Sequence, residues 1–286
     1  MKKPMRVEEL RRELRRELEP EYGRYEAEAM TELIFRHLKG WDRTQLLSNG
    51  DLPVSERMLS ATGRILNRLA KHEPLQYILG DARFYGMDLH VAPGVLIPRP
   101  ETAELVDSIV DRNRDRSDLR VLDVGCGSGA ISVALARNLP FSRVTALDVS
   151  PDAISIARGN AEALKVNVDF VQADIFKWRG EPDSFDIVVS NPPYIAEFEK
   201  KDMEANVLEY EPAQALFVPD DDPLRFYRRI CEVGRNVLVP GGQLCFEINP
   251  LYAVQMRQLM TDTGFADVET WLDSYGKVRF AYGIKK

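Results

Sequence analysis

From about residue 100 onward the chain alternates short apolar runs with helical segments, and few architectures accept that order. RVLDV, RVTALDV, VDFVQ, FDIVVS and QLCFEI read as strands, while ISVALARNL, PDAISIARGNAEAL and PLRFYRRICEVGRNVL between them read as helices. Runs that are apolar on both faces must be covered on both faces. The pattern therefore predicts an α/β domain, a parallel sheet with helices on its two sides. The tail departs from it. GFADVETWLDS and KVRFAYGIK, with Tyr275-Gly276 between them, predict two further strands placed close together.

The rest of the chain has a different character, and three segments are expected: a small helical domain over 1–73, a strand-rich connector over 74–99 and the α/β domain over 100–286. In the first, MRVEELRRELRREL pairs Glu8 with Arg12 at helical spacing. YEAEAMTELIFRHL runs to Gly40, a natural C-cap, and SERMLSATGRILNRLAKH starts at a capping Ser55. Met58, Thr62, Ile65 and Leu69 share one helical stripe, as a packed bundle requires. The connector carries turn signals at Gly80, Gly86 and Pro93-Gly94.

Composition excludes some function classes. The net charge of −7 argues against a wide nucleic-acid groove. The opening MKKPMRVEELRREL has no apolar run behind its lysines, so a signal peptide is not expected. No segment nears the roughly 18 apolar residues of a membrane helix. Cys126, Cys231 and Cys245 are odd in number and lack CxxC spacing, so reduced thiols and a cytoplasmic setting are expected. The scattered His37, His72 and His90 suggest no metal site.

The first chemical motif follows RVLDV. In GCGSG, the residues Gly125, Cys126, Gly127, Ser128 and Gly129 lie between a strand end and a helix start. Glycine lets the backbone turn sharply there and lets a ligand approach, and helix N-terminal amides suit an anionic group. Asp148 ends the second strand, nineteen positions after Gly129, where a carboxylate can accept from both hydroxyls of a ribose. Gly125, Gly127 and Ala130 also match a dinucleotide pattern. The tighter GxGxG spacing and the terminal strand pair favour S-adenosylmethionine. Asp123 serves either a ligand ammonium or the loop itself. Asp174, after VDFVQ, is placed to accept from an adenine amino group, or else is a surface loop acid or a helix N-cap, and Ile175 and Phe176 can supply apolar contact.

The second motif is Asn191-Pro192-Pro193-Tyr194, which follows FDIVVS. Two prolines rigidify the turn and remove its donors, leaving carbonyl acceptors. A target NH2 has two hydrogens; the Asn191 side-chain oxygen can take one and the Pro192 carbonyl the other. Tyr194 can pack on the planar target group. Catalysis of this kind rests on positioning, because the nitrogen can lose its proton after it is methylated.

GCGSG together with NPPY resembles the amino-group methyltransferases. The stretch GDARFYGMDLHVAPGVLIPRPETAELV, with EYEPAQALF and PLRFYRRI, is similar to the release-factor glutamine methyltransferases, the HemK/PrmC family. The resemblance implies a Rossmann-like class I methyltransferase sheet behind a helical substrate-recognition domain. It implies S-adenosyl-L-methionine as methyl donor, and as partner a class-1 peptide chain release factor, methylated at the glutamine of its GGQ loop. Gly125–Gly129, Asp148, Ile175 and Asn191 match the family's cofactor residues, and Asn191–Tyr194 its substrate-amide motif. A cytoplasmic monomer that touches neither membrane nor nucleic acid directly is expected. The alternative is a nucleic-acid amino-group methyltransferase acting on adenine N6 or guanine N2, and a non-catalytic nucleotide-binding module is a further class. Three positions depart from the family pattern: Ala103, Val218-Pro219 and Asn249-Pro250. The chain also carries its own GGQ at Gly241–Gln243, which is read as a turn opening a buried strand rather than a methylation site.

Overall fold

A computed structural model describes residues 4–286 of the chain, and it divides into a unit reaching to Leu79 and a unit Gly80–Lys286. The first unit is helical: Val7–Lys39, Arg43–Ser48, Glu56–Leu69 and Leu75–Leu79. Gly23, at φ 76° and ψ 166°, breaks the long span into two helices, a conformation that costs glycine least. Arg11 reaches Glu28 across that break at 3.0 Å. Gly40 caps the span in a left-handed conformation, and the Ser55 side chain accepts from the Met58 amide at 3.2 Å. Leu10, Leu14, Ile34, Phe35, Ile65 and Leu69 meet in one core. Leu75–Leu79, expected within a strand-rich connector, is instead a short helix whose Leu75 and Leu79 join that core. An apolar run of five residues has no periodicity to separate the two states, and packing decides.

The second unit opens with a hairpin, Asp81–Phe84 paired to Met87–His90. Tyr85 and Gly86 both take positive φ, as a tight two-residue hairpin turn demands. A helix, Pro100–Arg112, follows and was not anticipated. The central sheet has seven strands: β1 (Arg120–Val124), β2 (Arg143–Asp148), β3 (Val168–Gln172), β4 (Phe185–Ser190), β5 (Leu238–Glu247), β6 (Phe265–Leu272) and β7 (Val278–Lys285). Their spatial order is β6-β7-β5-β4-β1-β2-β3. β1 to β5 run parallel, and the terminal hairpin β6–β7 lies antiparallel against β5. Alternate residues of the inner strands face two cores. Val121, Ile187, Val189 and Cys245 pack with Leu105 and Leu135, while Leu122, Val188, Leu244 and Phe246 pack with Tyr227 and Ile230. This is the two-sided burial that the apolar runs required.

The internal GGQ lies inside β5, where residues 239–242 bulge between two positions paired to β4. Gln243 is buried, and its side-chain amide exchanges two hydrogen bonds with that of Asn113, both 2.9 Å. A glutamine so held is no accessible methyl acceptor. All three cysteines are buried and unpaired.

Candidate active site

The carboxyl ends of the parallel strands gather the predicted residues, because every loop that leaves them emerges on one edge of the sheet. A cavity of about 440 Å³ lies there. Gly125 and Gly127 follow β1, Asp148 ends β2, Asp174 and Ile175 follow β3, and Asn191, Pro192 and Pro193 follow β4; all line this one cavity. Cys126 and Ser128 are buried and are not part of its lining; burial holds the Cys126 thiol well above its ordinary pKa. Gly129 is the close-packing glycine, since a Cβ there would stand 3.0 Å from that of Ala157. Tyr194 lines a second, smaller cleft of about 140 Å³, along with Arg99, Met203 and Val207. The two spaces share Leu96, Asn191, Pro192 and Ala215 as a common wall.

The glycine loop differs from the anion cradle its sequence suggests. The amides of Gly125 and Cys126 both donate to the Leu147 carbonyl, at 2.8 and 2.9 Å. The Gly127 amide donates to Asp148 Oδ2 at 2.9 Å and that of Gly129 to the Cys126 carbonyl at 2.8 Å. Those amides are satisfied within the chain, so the loop acts as a shaped wall. Asp148 Oδ1 also accepts from the Ser150 amide at 2.9 Å. Burial raises the Asp148 pKa, and the amides of Ser150, Gly127 and Val149 oppose that rise. Each carboxylate oxygen keeps a lone pair for a ligand hydroxyl. Asp174 Oδ1 accepts from the Phe176 amide at 3.0 Å, the turn-capping bond, and Lys177 Nζ lies 3.8 Å from Oδ2. Phe176 and Phe226 tilt together at 5.1 Å with Arg225 over both rings.

Asp123 is fully buried behind the loop. One oxygen accepts from the Ser132 hydroxyl, and the other, Oδ1, has no partner. Burial pushes its carboxyl up to about 7. An unfolded aspartate titrates near 3.9, so between about pH 4 and pH 7 the native chain holds the extra proton and stability falls as pH rises. Asp123→Asn removes that titration. Its melting advantage over the parent protein is expected to grow from pH 5 to pH 8, by about 1.4 kcal/mol per pH unit up to neutrality. Equal differences at the two pH values would show an ordinary carboxyl.

Several contacts that shape the site have no signature in the sequence, although Glu211 lies in EYEPAQALF and Arg99 and Thr102 lie in PRPETAELV. Glu211 is buried; it accepts from Arg99 at 2.6 Å and from the Ile97 amide at 3.1 Å, clamping the 96–99 segment beside the Asn191 wall. Tyr194 donates to Glu247 at 3.0 Å, and the Asn191 side-chain nitrogen donates to Thr102 at 3.2 Å. Two of the departing positions prove structural. Asn249 is buried and donates to the Tyr194 carbonyl at 3.1 Å and to Glu199 at 2.9 Å, holding the NPPY turn from behind. Val218 is buried and pairs with Ala196 in a short parallel bridge just past Tyr194.

Comparison with known proteins agrees along the chain. A methyltransferase domain model matches residues 121–210, and a PrmC N-terminal domain model matches residues 9–80. A release factor glutamine methyltransferase of Bacteroides thetaiotaomicron is 48% identical over 93% of this chain and 95% of its own. One from Flavobacterium psychrophilum is 40% identical over 89% and 90%. Among solved structures, a methyltransferase from Pyrococcus furiosus aligns with a TM-score of 0.51 at 21% identity, covering 79% of this chain and 98% of its own. A T. thermophilus 16S rRNA methyltransferase in complex with AdoMet and guanosine aligns at 0.53 and 21%, covering 72% and 50%. At that identity the two structures speak for the fold alone.

Proposed function

The chain belongs to the release factor glutamine methyltransferase family, and from that premise we propose that it methylates the side-chain nitrogen of the GGQ glutamine in class-1 peptide chain release factors, with S-adenosyl-L-methionine as donor. The observation that carries the reading is the wall shared by the two cavities. A side chain entering the smaller cleft meets Asn191 and Pro192, and the larger cavity lies directly behind them.

The larger cavity fits the donor. Its volume of about 440 Å³ lies within the range of small-molecule sites, and its walls are mostly apolar with few polar groups. Asp148 would accept from the ribose, Asp174 from the adenine amino group, and Ile175 and Phe176 would cover the adenine faces. The bound donor supplies an electrophilic methyl carbon on a sulfonium. The chain's own residues supply orientation. The Asn191 side-chain oxygen and the Pro192 carbonyl accept the two hydrogens of the target amide and turn its nitrogen toward the donor. No base has to act before transfer, and among the described residues the cleft wall offers no histidine.

The helical unit is the proposed recognition element for the release factor. The reading takes the protein as a cytoplasmic monomer without direct nucleic-acid contact. In support, the net charge is −7, and no helix among the described residues is long and apolar enough to cross a membrane. The deciding assay gives labelled donor with purified release factor, tRNA, rRNA or DNA, followed by mass mapping of the product. Label in nucleic acid alone would favour the adenine or guanine alternative.

Asp148→Ala is expected to weaken donor binding by roughly 1.5–3 kcal/mol, the range for hydrogen bonds to a charged acceptor. The variant also loses the bond to the Gly127 amide and so loosens the loop. Calorimetry that finds unchanged affinity in a folded variant would remove the ribose assignment.

A further inference from the structure

We propose that Thr102 and Glu247 are positioning residues that set which way the Asn191 side-chain amide faces. The inference rests on the role given to Asn191 above and extends it to two residues that touch neither cavity.

Hydrogen-bond polarity sets the direction of the Glu247–Thr102–Asn191 chain. Glu247 ends β5 and is 1% exposed. Its main-chain carbonyl is held by the Tyr227 hydroxyl at 3.0 Å. Its side chain receives two hydroxyl protons: Oε2 accepts from Thr102 at 2.6 Å and Oε1 from Tyr194 at 3.0 Å. Burial raises the Glu247 pKa, helped by the nearby Glu101 charge and opposed by those two bonds and the Arg279 charge. Both carboxyl oxygens are acceptors in this arrangement, Oε2 of the Thr102 hydroxyl and Oε1 of the Tyr194 hydroxyl. The single hydroxyl proton of Thr102 is therefore directed at Glu247, and the Thr102 oxygen has only lone pairs left. Whatever lies on its other side must be a donor.

That neighbour is the Asn191 side-chain amide, with Nδ2 at 3.2 Å. The amide is planar, with one donor branch and one acceptor branch. Once Nδ2 is bound to Thr102, Oδ1 is the branch left for a ligand. The opposite orientation would set the Asn191 oxygen against the Thr102 lone pairs and present an NH2 to the NH2 of an incoming glutamine. A target amide needs an acceptor there, so the Glu247–Thr102–Asn191 chain selects the productive face. Three segments distant in sequence supply it: a helix start, the turn after β4 and the end of β5.

The test uses the full-length protein, S-adenosylmethionine and an intact release factor. Single-turnover transfer at saturation, donor affinity and melting temperature are measured for Thr102→Val, Thr102→Ser and Glu247→Gln. Thr102→Val keeps the shape and loses the hydroxyl. It is expected to slow transfer about 10-fold or more with donor affinity within about 3-fold, and Thr102→Ser to recover most of the rate. Glu247→Gln faces one of the two hydroxyls with an NH2 and is also expected to slow transfer about 10-fold. It decides the matter if Thr102→Val does not fold. Wild-type transfer in Thr102→Val or Glu247→Gln, or a Thr102→Ser as slow as the valine variant, overturns the proposal. Asn191→Ala in the same assay separates the two readings. If it is inactive while Thr102→Val is normal, only the positioning chain falls; if it is active, the role of Asn191 falls as well.

Discussion

Asn191→Ala is expected to lower methyl transfer by roughly 10²-fold or more in a protein that still folds and still binds its donor. An amide nitrogen is a poor nucleophile because its lone pair is shared with the carbonyl, so orientation must supply much of the rate. In the proposed reading the substitution removes the acceptor for one hydrogen of the target. The fold should survive, since the Asn191 side chain is only partly buried and, among the described residues, makes one hydrogen bond, to Thr102. Asn191→Asp is the sharper probe. It keeps an acceptor of the same size but sets an oxygen against Thr102, whose proton is already directed to Glu247. It also adds a negative charge beside the sulfonium, which favours the cationic donor before transfer and should slow turnover even where donor binding tightens. Single-turnover rates on a release factor and donor affinity by calorimetry, measured separately, check both variants. Near-normal transfer by Asn191→Ala would refute the role assigned to the motif.

Removal of the helical unit is expected to have an effect of similar size by a different route. A chain that starts at Gly80 keeps Phe84, Met87 and Leu89, which belong to the core of the sheet unit, and keeps the Gly80 carbonyl that accepts from the Val91 amide at 3.2 Å. A cut at Leu75 would leave Leu75 and Leu79 stripped of the helical core they belong to. The shortened chain should bind S-adenosylmethionine within about 3-fold of the parent. It should lose roughly 10²-fold in kcat/KM on an intact release factor, the factor that about 3 kcal/mol of lost recognition contributes. A short peptide bearing GGQ should be methylated equally by both chains. Equal kcat/KM on the intact factor would show that the helical unit takes no part in recognition.

Much of this was legible from short stretches of chain. The αβ alternation, the Gly40 and Ser55 caps and the terminal strand pair were read from neighbours a few residues apart, and they recur in the structure. The glycine loop, Asp148, Asp174 and NPPY were placed together because loops after parallel strands share one sheet edge. Where local information ran out, the reading did too. LQYIL is too short to tell from a strand, the helices Pro100–Arg112 and Ala253–Asp262 start without a side-chain cap, and nothing local shows that the glycine-loop amides bond back to Leu147 and Asp148.

The sequence by itself determined the class of fold and which motif residues meet at the sheet edge, because periodicity, caps and turn residues act through the backbone within a few positions. Tertiary structure alone decided how those motifs are held. The Gly125 and Cys126 amides are satisfied by Leu147 on the neighbouring strand. Asn249, which reads as a departure in a loop, supports the Tyr194 carbonyl 55 positions away. Glu247 reaches Thr102 across 145 positions and, through it, Asn191. Such bonds form only once strand order and register have brought distant segments within about 3 Å, and buried polar groups then have no water to fall back on, so each must find its partner in the chain.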